Sequence, residues 1–154
     1  MARLLQLRWE QLSTHRRGTV TEYRCQSILL VETDPGQRAA TKDVLQSAGF
    51  RISCASSYNE AKQMLATSPP DILITGLRLG EYNGLQLVLR TRVQYPAMAA
   101  IVTSEIADRV LEAEAERQSA EFLVRPLEAG LLLTAVGRSL KNHVGESTLD
   151  NATG

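Results

Sequence analysis

The sequence predicts an α/β chain in which five short parallel strands form one doubly wound sheet, (βα)5, covered by helices on both faces. Three observations carry this. Short runs such as SILLV and AAIVT are apolar at consecutive positions, as strands buried on two sides must be. Helical patterns of 10 to 14 residues separate them, the length a parallel crossover needs. Glycine or proline stands at several joints, notably Pro35, Gly49, Pro69 and Pro70, where each stops or starts an element.

The elements follow in order. Ser27 to Val31 is the first strand, and Pro35 opens a helix whose Val44, Leu45 and Ala48 share a face before Gly49 ends it. Asp34 is read as the N-cap of that helix, with Pro35 at its first position. RISCAS is the second strand, placing Ile52 and Cys54 on one face. Tyr58 to Thr67 is the second helix, with Ala61, Met64 and Leu65 inward. Asp71 to Thr75 is the third strand, and Leu85 to Gln94 a helix read through Leu85, Val88, Leu89 and Val93. Ala99 to Thr103 is the fourth strand. Glu105 to Gln118 is its helix, bearing Ile106, Val110, Leu111, Ala113 and Ala115. Glu121 to Val124 and Glu128 to Leu140 complete the fifth pair.

Length and composition set the frame. At 154 residues, with 44% hydrophobic and 22% charged positions, the chain suits one globular domain with a real core. Its formal net charge is zero, so the whole offers no field to draw in nucleic acid. Cys25 and Cys54 lie far apart without partner ligands, which excludes a zinc motif and predicts two unpaired thiols in a reducing cytoplasm. No apolar run approaches the length of a membrane span. Residues 1–26 form a locally basic arm, with Arg3, Arg8, Arg16, Arg17 and Arg24 against Glu10 and Glu22. Leu4, Leu5, Leu7, Trp9 and Leu12 give it a loose helical face over Ala2 to Leu12. Arg8 and Glu10 interrupt the apolar patch, so it does not read as a signal peptide. Residues 27–140 make the folded domain, and the polar stretch 141–154 reads as a flexible tail.

In an open parallel sheet, chemistry gathers beyond the carboxyl ends of the strands. Those ends supply Glu32, Thr33 and Asp34, then Gly76, then Thr103 and Ser104, then Arg125 with Pro126. Four stretches in this order, ILLVETDPGQR, PDILITGLRLGEYNGLQL, AIVTS and FLVRP, resemble the receiver domain of two-component response regulators over about residues 27–140. The resemblance implies a flavodoxin-like receiver fold.

Residue by residue, the resemblance also implies that the family's chemistry is incomplete here. Aligned on Pro70-Asp71 and Asn83-Gly84, the phosphoacceptor aspartate falls on Gly76, which has no nucleophile. The acidic pair falls on Glu32 and Thr33, the lysine on Arg125, the switch hydroxyl on Thr103 and the switch aromatic on Phe122. Glu32 and Arg125 leave a site of zero net charge, with no unmet demand for a magnesium ion that prefers a full set of hard oxygen donors. No metal or other cofactor is expected. Arg125 is expected to reach Glu32 as a bidentate pair, closer than about 4 Å, across the space the aspartate would fill. Glu81 and Asn83 read as solvated turn residues, and His15 and His143 lie in the two ends.

The expected function is a non-enzymatic, cytoplasmic pseudo-receiver acting in a phosphorelay-type pathway through protein contacts, with a kinase, a regulator or a second copy as partner. Two alternatives stay open. One is a switch that binds a small ligand or anion near Arg125 and Thr103; the other is phosphotransfer through an unconventional acceptor such as Asp34. By resemblance, the fourth helix, fifth strand and fifth helix offer a docking face, with Glu112, Glu116 and Arg117 on the exposed side of that fourth helix. Only 14 residues follow Leu140, too few for a helix-turn-helix module, so nucleic acid is not an expected partner.

Overall fold

A computed structural model of the protein describes residues 26–152, with side chains described through Asn142. Residues 1–25 of the basic arm, with the helix expected over Ala2 to Leu12, Cys25 and His15, therefore lie outside the described residues. Five parallel strands form one sheet: β1 (Ser27–Val31), β2 (Arg51–Ala55), β3 (Ile72–Gly76), β6 (Ala99–Ser104) and β7 (Ala120–Val124), in the spatial order β2-β1-β3-β6-β7. A two-stranded antiparallel hairpin, β4 (Arg78–Leu79) and β5 (Tyr82–Asn83), follows β3. Five helices complete the chain: α1 (Pro35–Ser47), α2 (Tyr58–Thr67), α3 (Gly84–Gln94), α4 (Arg109–Arg117) and α5 (Ala129–Ala152).

The strand period of two divides the core between the two faces. Leu29, Val31, Leu73, Ala100 and Val102 point to the layer that holds Ala61 and Leu65 of α2, Leu85 and Val88 of α3 and Ala115 of α4. Ile28, Leu30, Ile72, Ile74 and Ile101 point the other way, against Leu45 of α1 and Leu132, Ala135 and Val136 of α5. Both faces are covered, which is why the central strands read as unbroken apolar runs. Ile52 and Cys54 pack on the α1–α5 side, sharing a face as predicted. Cys54 is a free thiol, and burial raises its pKa.

Local signals fix most boundaries. Asp34 caps α1 as expected, its Oδ1 accepting from the Gly36 and Gln37 amides at 2.8 and 3.2 Å. Gly49 takes a φ of 98°, a conformation that glycine alone enters without steric cost. Ser57 caps α2 through the Glu60 amide. The Glu60 carboxylate returns to the Ser56 amide and hydroxyl, and those bonds, the backbone one first, lower its pKa.

The structure corrects four sequence expectations. Helix α4 starts at Arg109 rather than Glu105, because the Asp108 carboxylate accepts from the Val110 and Leu111 amides and sets the first turn there. Ile106 precedes it, its amide and carbonyl both bonded to the Ser104 hydroxyl. Helix α3 buries Gly84, Leu85, Leu87, Val88 and Thr91, leaving Leu89 and Val93 exposed. Its rotation is set by the tight seat of Gly84 and not by the total of apolar residues. Asn83 is no solvated turn residue: its Oδ1 accepts from the Leu85 amide at 2.8 Å, while Gln86 Oε1 accepts from the Asn83 amide, a capping box. Finally, α5 continues past Leu140 to Ala152 where a tail was expected over 141–154. That stretch holds no proline and a single glycine before Ala152, so nothing in it obliges a helix already nucleated on the core to stop.

Candidate functional site at the carboxyl ends of β1, β3, β6 and β7

The strand order reverses between β1 and β3, and ligands in such sheets bind at that reversal, beyond the carboxyl ends. There the chain brings together Glu32, Gly76, Thr103 and Arg125. Glu32 follows β1, held by its amide on the Ala55 carbonyl at 3.1 Å. Its own carbonyl accepts from Arg38 Nη1 at 2.8 Å. Gly76 closes β3 opposite Thr103 of β6. Arg125 follows β7, with its amide on the Ser104 carbonyl at 2.8 Å and a cis bond to Pro126.

The expected pair is present and bidentate. Arg125 Nη1 donates to Glu32 Oε1 at 3.3 Å and Nη2 to Oε2 at 2.5 Å. Nη2 also donates to Thr103 Oγ1 at 3.1 Å. Oε1 of Glu32 accepts in addition from the Asp34 amide at 3.2 Å. The two side chains are 14% and 8% exposed, so their attraction is weakly screened and their desolvation is costly. Arg125 Nε is buried without a hydrogen-bond partner among the described residues.

Gly76 is where the arrangement departs most from a plain ion pair. A Cβ built there would lie 2.7 Å from Glu32 Oε2, closer than two such atoms approach. The Glu32 carboxylate lies in the space that a side chain at Gly76 would need. The backbone beside it is also committed: Thr75 Oγ1 donates to the Gly76 carbonyl at 2.9 Å, and the Leu77 amide to the Thr103 carbonyl at 2.8 Å.

The side chains of Thr33, Asp34 and Phe122 do not join this group. Thr33 is exposed on the turn before α1. Asp34 is occupied as a cap, and Phe122 is half-buried against the α2–α3–α4 layer. The site does not fit a divalent cation held by oxygen ligands. Its one carboxylate is clasped by a guanidinium, and Gly76 supplies no donor side chain. Among the described residues no group of three or more His, Cys, Asp and Glu side chains gathers to hold a metal ion.

Sequence reading missed the hairpin beside the site. Leu79 is buried, and the Tyr82 ring stacks on the Tyr58 ring of α2 with centroids 4.4 Å apart and planes 14° from parallel. Two-residue strands have too little periodicity to be seen in a sequence; the local signal was Gly80, whose φ of 66° makes the turn. Tyr82→Ala is expected to lower stability by about 1 kcal/mol through loss of the stack, read as a lower urea midpoint with an unchanged slope.

A five-stranded parallel sheet in this order, with residues from four strand ends gathered at its reversal, is a flavodoxin-like doubly wound arrangement. The family profile described as "Response regulator receiver domain" matches residues 28–137, and the chain belongs to that family. It is 30% identical over 115 residues to the alginate biosynthesis transcriptional regulatory protein AlgB of Pseudomonas putida, and 31% identical over 112 residues to the response regulator protein FleR of Pseudomonas aeruginosa. The alignments cover 74% and 72% of this chain but 26% and 24% of those proteins, so the chain matches about a quarter of their length. Among solved structures, a CheY-like receiver domain protein from Methanospirillum hungatei superposes with a TM-score of 0.74 at 19% identity, covering 79% of this chain and 98% of that one. NtrX from Brucella abortus gives 0.76 at 19% identity, over 83% of this chain and 29% of that one. At these identities the structural likeness speaks for the fold.

Proposed function

We propose that the chain is a pseudo-receiver: a non-catalytic signalling module that is not phosphorylated at the end of β3 and works through protein contacts. The observation that carries this reading is the seat of Glu32, whose carboxylate fills the space above Gly76 while Arg125 clasps it from the other side. A receiver that takes a phosphoryl group needs an acceptor carboxylate there and a cation to neutralise the incoming charge. Here the position has no side chain, and the negative charge present is already matched. Both terminal guanidinium nitrogens are engaged, which weighs against an anion switch at Arg125. The Asp34 carboxylate is engaged at the head of α1, which weighs against it as an acceptor. The protein partners in this reading are a kinase, a regulator or a second copy, in the cytoplasm. No helix among the described residues is long and apolar enough to cross a membrane.

Labelling with a small phosphoryl donor and magnesium tests the proposal across a short series. The wild type is expected to stay unlabelled. Gly76→Asp is expected to gain little, because its Cβ must first displace Glu32 and because Thr33 still offers no carboxylate. Adding Thr33→Asp should raise labelling more than additively. Stable labelling of the wild type, or of the single variant as strongly as the double, would sink the proposal.

A further inference from the structure

Beyond the site, one surface carries apolar side chains that the described fold leaves uncovered. Val124 is the last residue of β7 and pairs in register with Ser104. Ile106 stands two residues after Ser104, fixed by the hydroxyl of that serine. Val110, the second residue of α4, follows one turn further on. These three are 41%, 56% and 78% exposed, at one end of the edge strand. Around them the segment 105–117 holds Glu105, Asp108, Glu112, Glu114 and Glu116 against Arg109 and Arg117, a net charge of 2 − 5 = −3.

Residues 1–25 are its counterpart. They hold five arginines against two glutamates, 5 − 2 = +3. Leu5, Trp9 and Leu12 stand at i, i+4 and i+7, the spacing of one helical face. We propose that this arm docks in cis on the patch of Ile106, Val110 and Val124, its arginines against the acids of α4.

Distance permits it. The arm joins the sheet at Ser27, at the amino end of β1, and the patch lies three strands away at the carboxyl end of β7. Three strand spacings and one strand length place it roughly 20–25 Å off. The 13 residues from Ser13 to Cys25 span up to about 45 Å when extended. A tether of that length holds the arm at an effective concentration on the order of millimolar, so a modest contact suffices to keep it seated. The same face is the one a partner would need, so the docked arm makes access to it a competition. This inference does not depend on the state of the Glu32–Arg125 site.

Trp9 is the single tryptophan of the chain, so its fluorescence reports on the arm alone. In the full chain, iodide quenching of Trp9 is expected to be several-fold weaker than that of free N-acetyl-tryptophanamide, with a blue-shifted emission. The variant I106K/V110K, which changes two exposed side chains and should keep the fold by circular dichroism, is expected to restore quenching and shift the emission to the red. Protection of Trp9 that survives this variant would overturn the proposal by placing the arm elsewhere. Quenching as strong as the free analogue's in the wild type would overturn it outright. Protection that vanishes on dilution would overturn the docking in cis and assign the arm to a second copy.

Discussion

Arg125→Met is expected to destabilise the fold by about 3 kcal/mol, because it leaves the Glu32 carboxylate buried without its counter-ion. The figure is taken at the low end of the range for broken buried pairs, since Arg125 is 14% exposed and Glu32 keeps its bond from the Asp34 amide. Neutralising both partners, Glu32→Gln with Arg125→Met, is expected to recover most of that loss. The pair is not optimised for net stability: Arg125 Nε is buried with no hydrogen-bond partner among the described residues, and the desolvation of two charges offsets much of their attraction. A double-mutant cycle in urea separates the two effects. Equal losses in the single and double variants would show that the guanidinium acts through packing and not through charge.

Gly84→Ala is expected to cost about 3 kcal/mol, the upper range for forcing extra volume into a packed region. A Cβ at residue 84 would sit 2.1 Å from the Gly76 carbonyl oxygen, 3.0 Å from Thr75 Oγ1 and 3.1 Å from the Gly76 carbonyl carbon. Two of these neighbours are backbone of a central strand, which cannot swing aside as a flexible side chain does. The Gly84 amide also donates to the Leu77 carbonyl at 2.7 Å, so the start of α3 has no freedom to retreat. Gly137→Ala is the comparison: inside α5, with nothing within 4 Å of the built Cβ, it is expected to stabilise by roughly 0.5–1 kcal/mol through helix propensity. Thermal denaturation of the two variants beside the wild type shows both signs. A neutral Gly84→Ala would mean that the contact between the head of α3 and the end of β3 is looser than described.

These two glycines show how far a sequence can be read and where it stops. The strands were legible because β1, β3 and β6 are buried on both faces, and their runs of Ile, Leu and Val admit no other placement. The Asp34 cap was legible because its partners are its own neighbours in the chain. The Glu32–Arg125 pair, 93 residues apart, was legible through charge: a carboxylate and a guanidinium left at neighbouring strand ends attract each other. What a linear reading could not see is contact through space. Gly84 matches the family pattern, but the carbonyl that forbids a side chain there belongs to Gly76. The two helices were read through Leu89, Val93, Ile106 and Val110 as well as through their buried residues, and all four prove exposed, with Ile106 lying ahead of α4. The length of α5 escaped because polar composition was taken for a stop, when helices stop at caps and prolines. Gly76 itself was legible as a missing acid. That Glu32 occupies its place was not.

The central claim is that the Glu32–Arg125 clasp stands where a cation and an acceptor would otherwise act. The most direct measurement is a magnesium titration of the 15N-labelled wild type, following the backbone amides of Glu32, Asp34, Gly76, Leu77 and Ser104. Through millimolar magnesium these resonances are expected to stay in place, apart from the small uniform drift that ionic strength produces. Saturable shifts confined to those amides would show that the clasp opens to admit a cation, and would contradict the account.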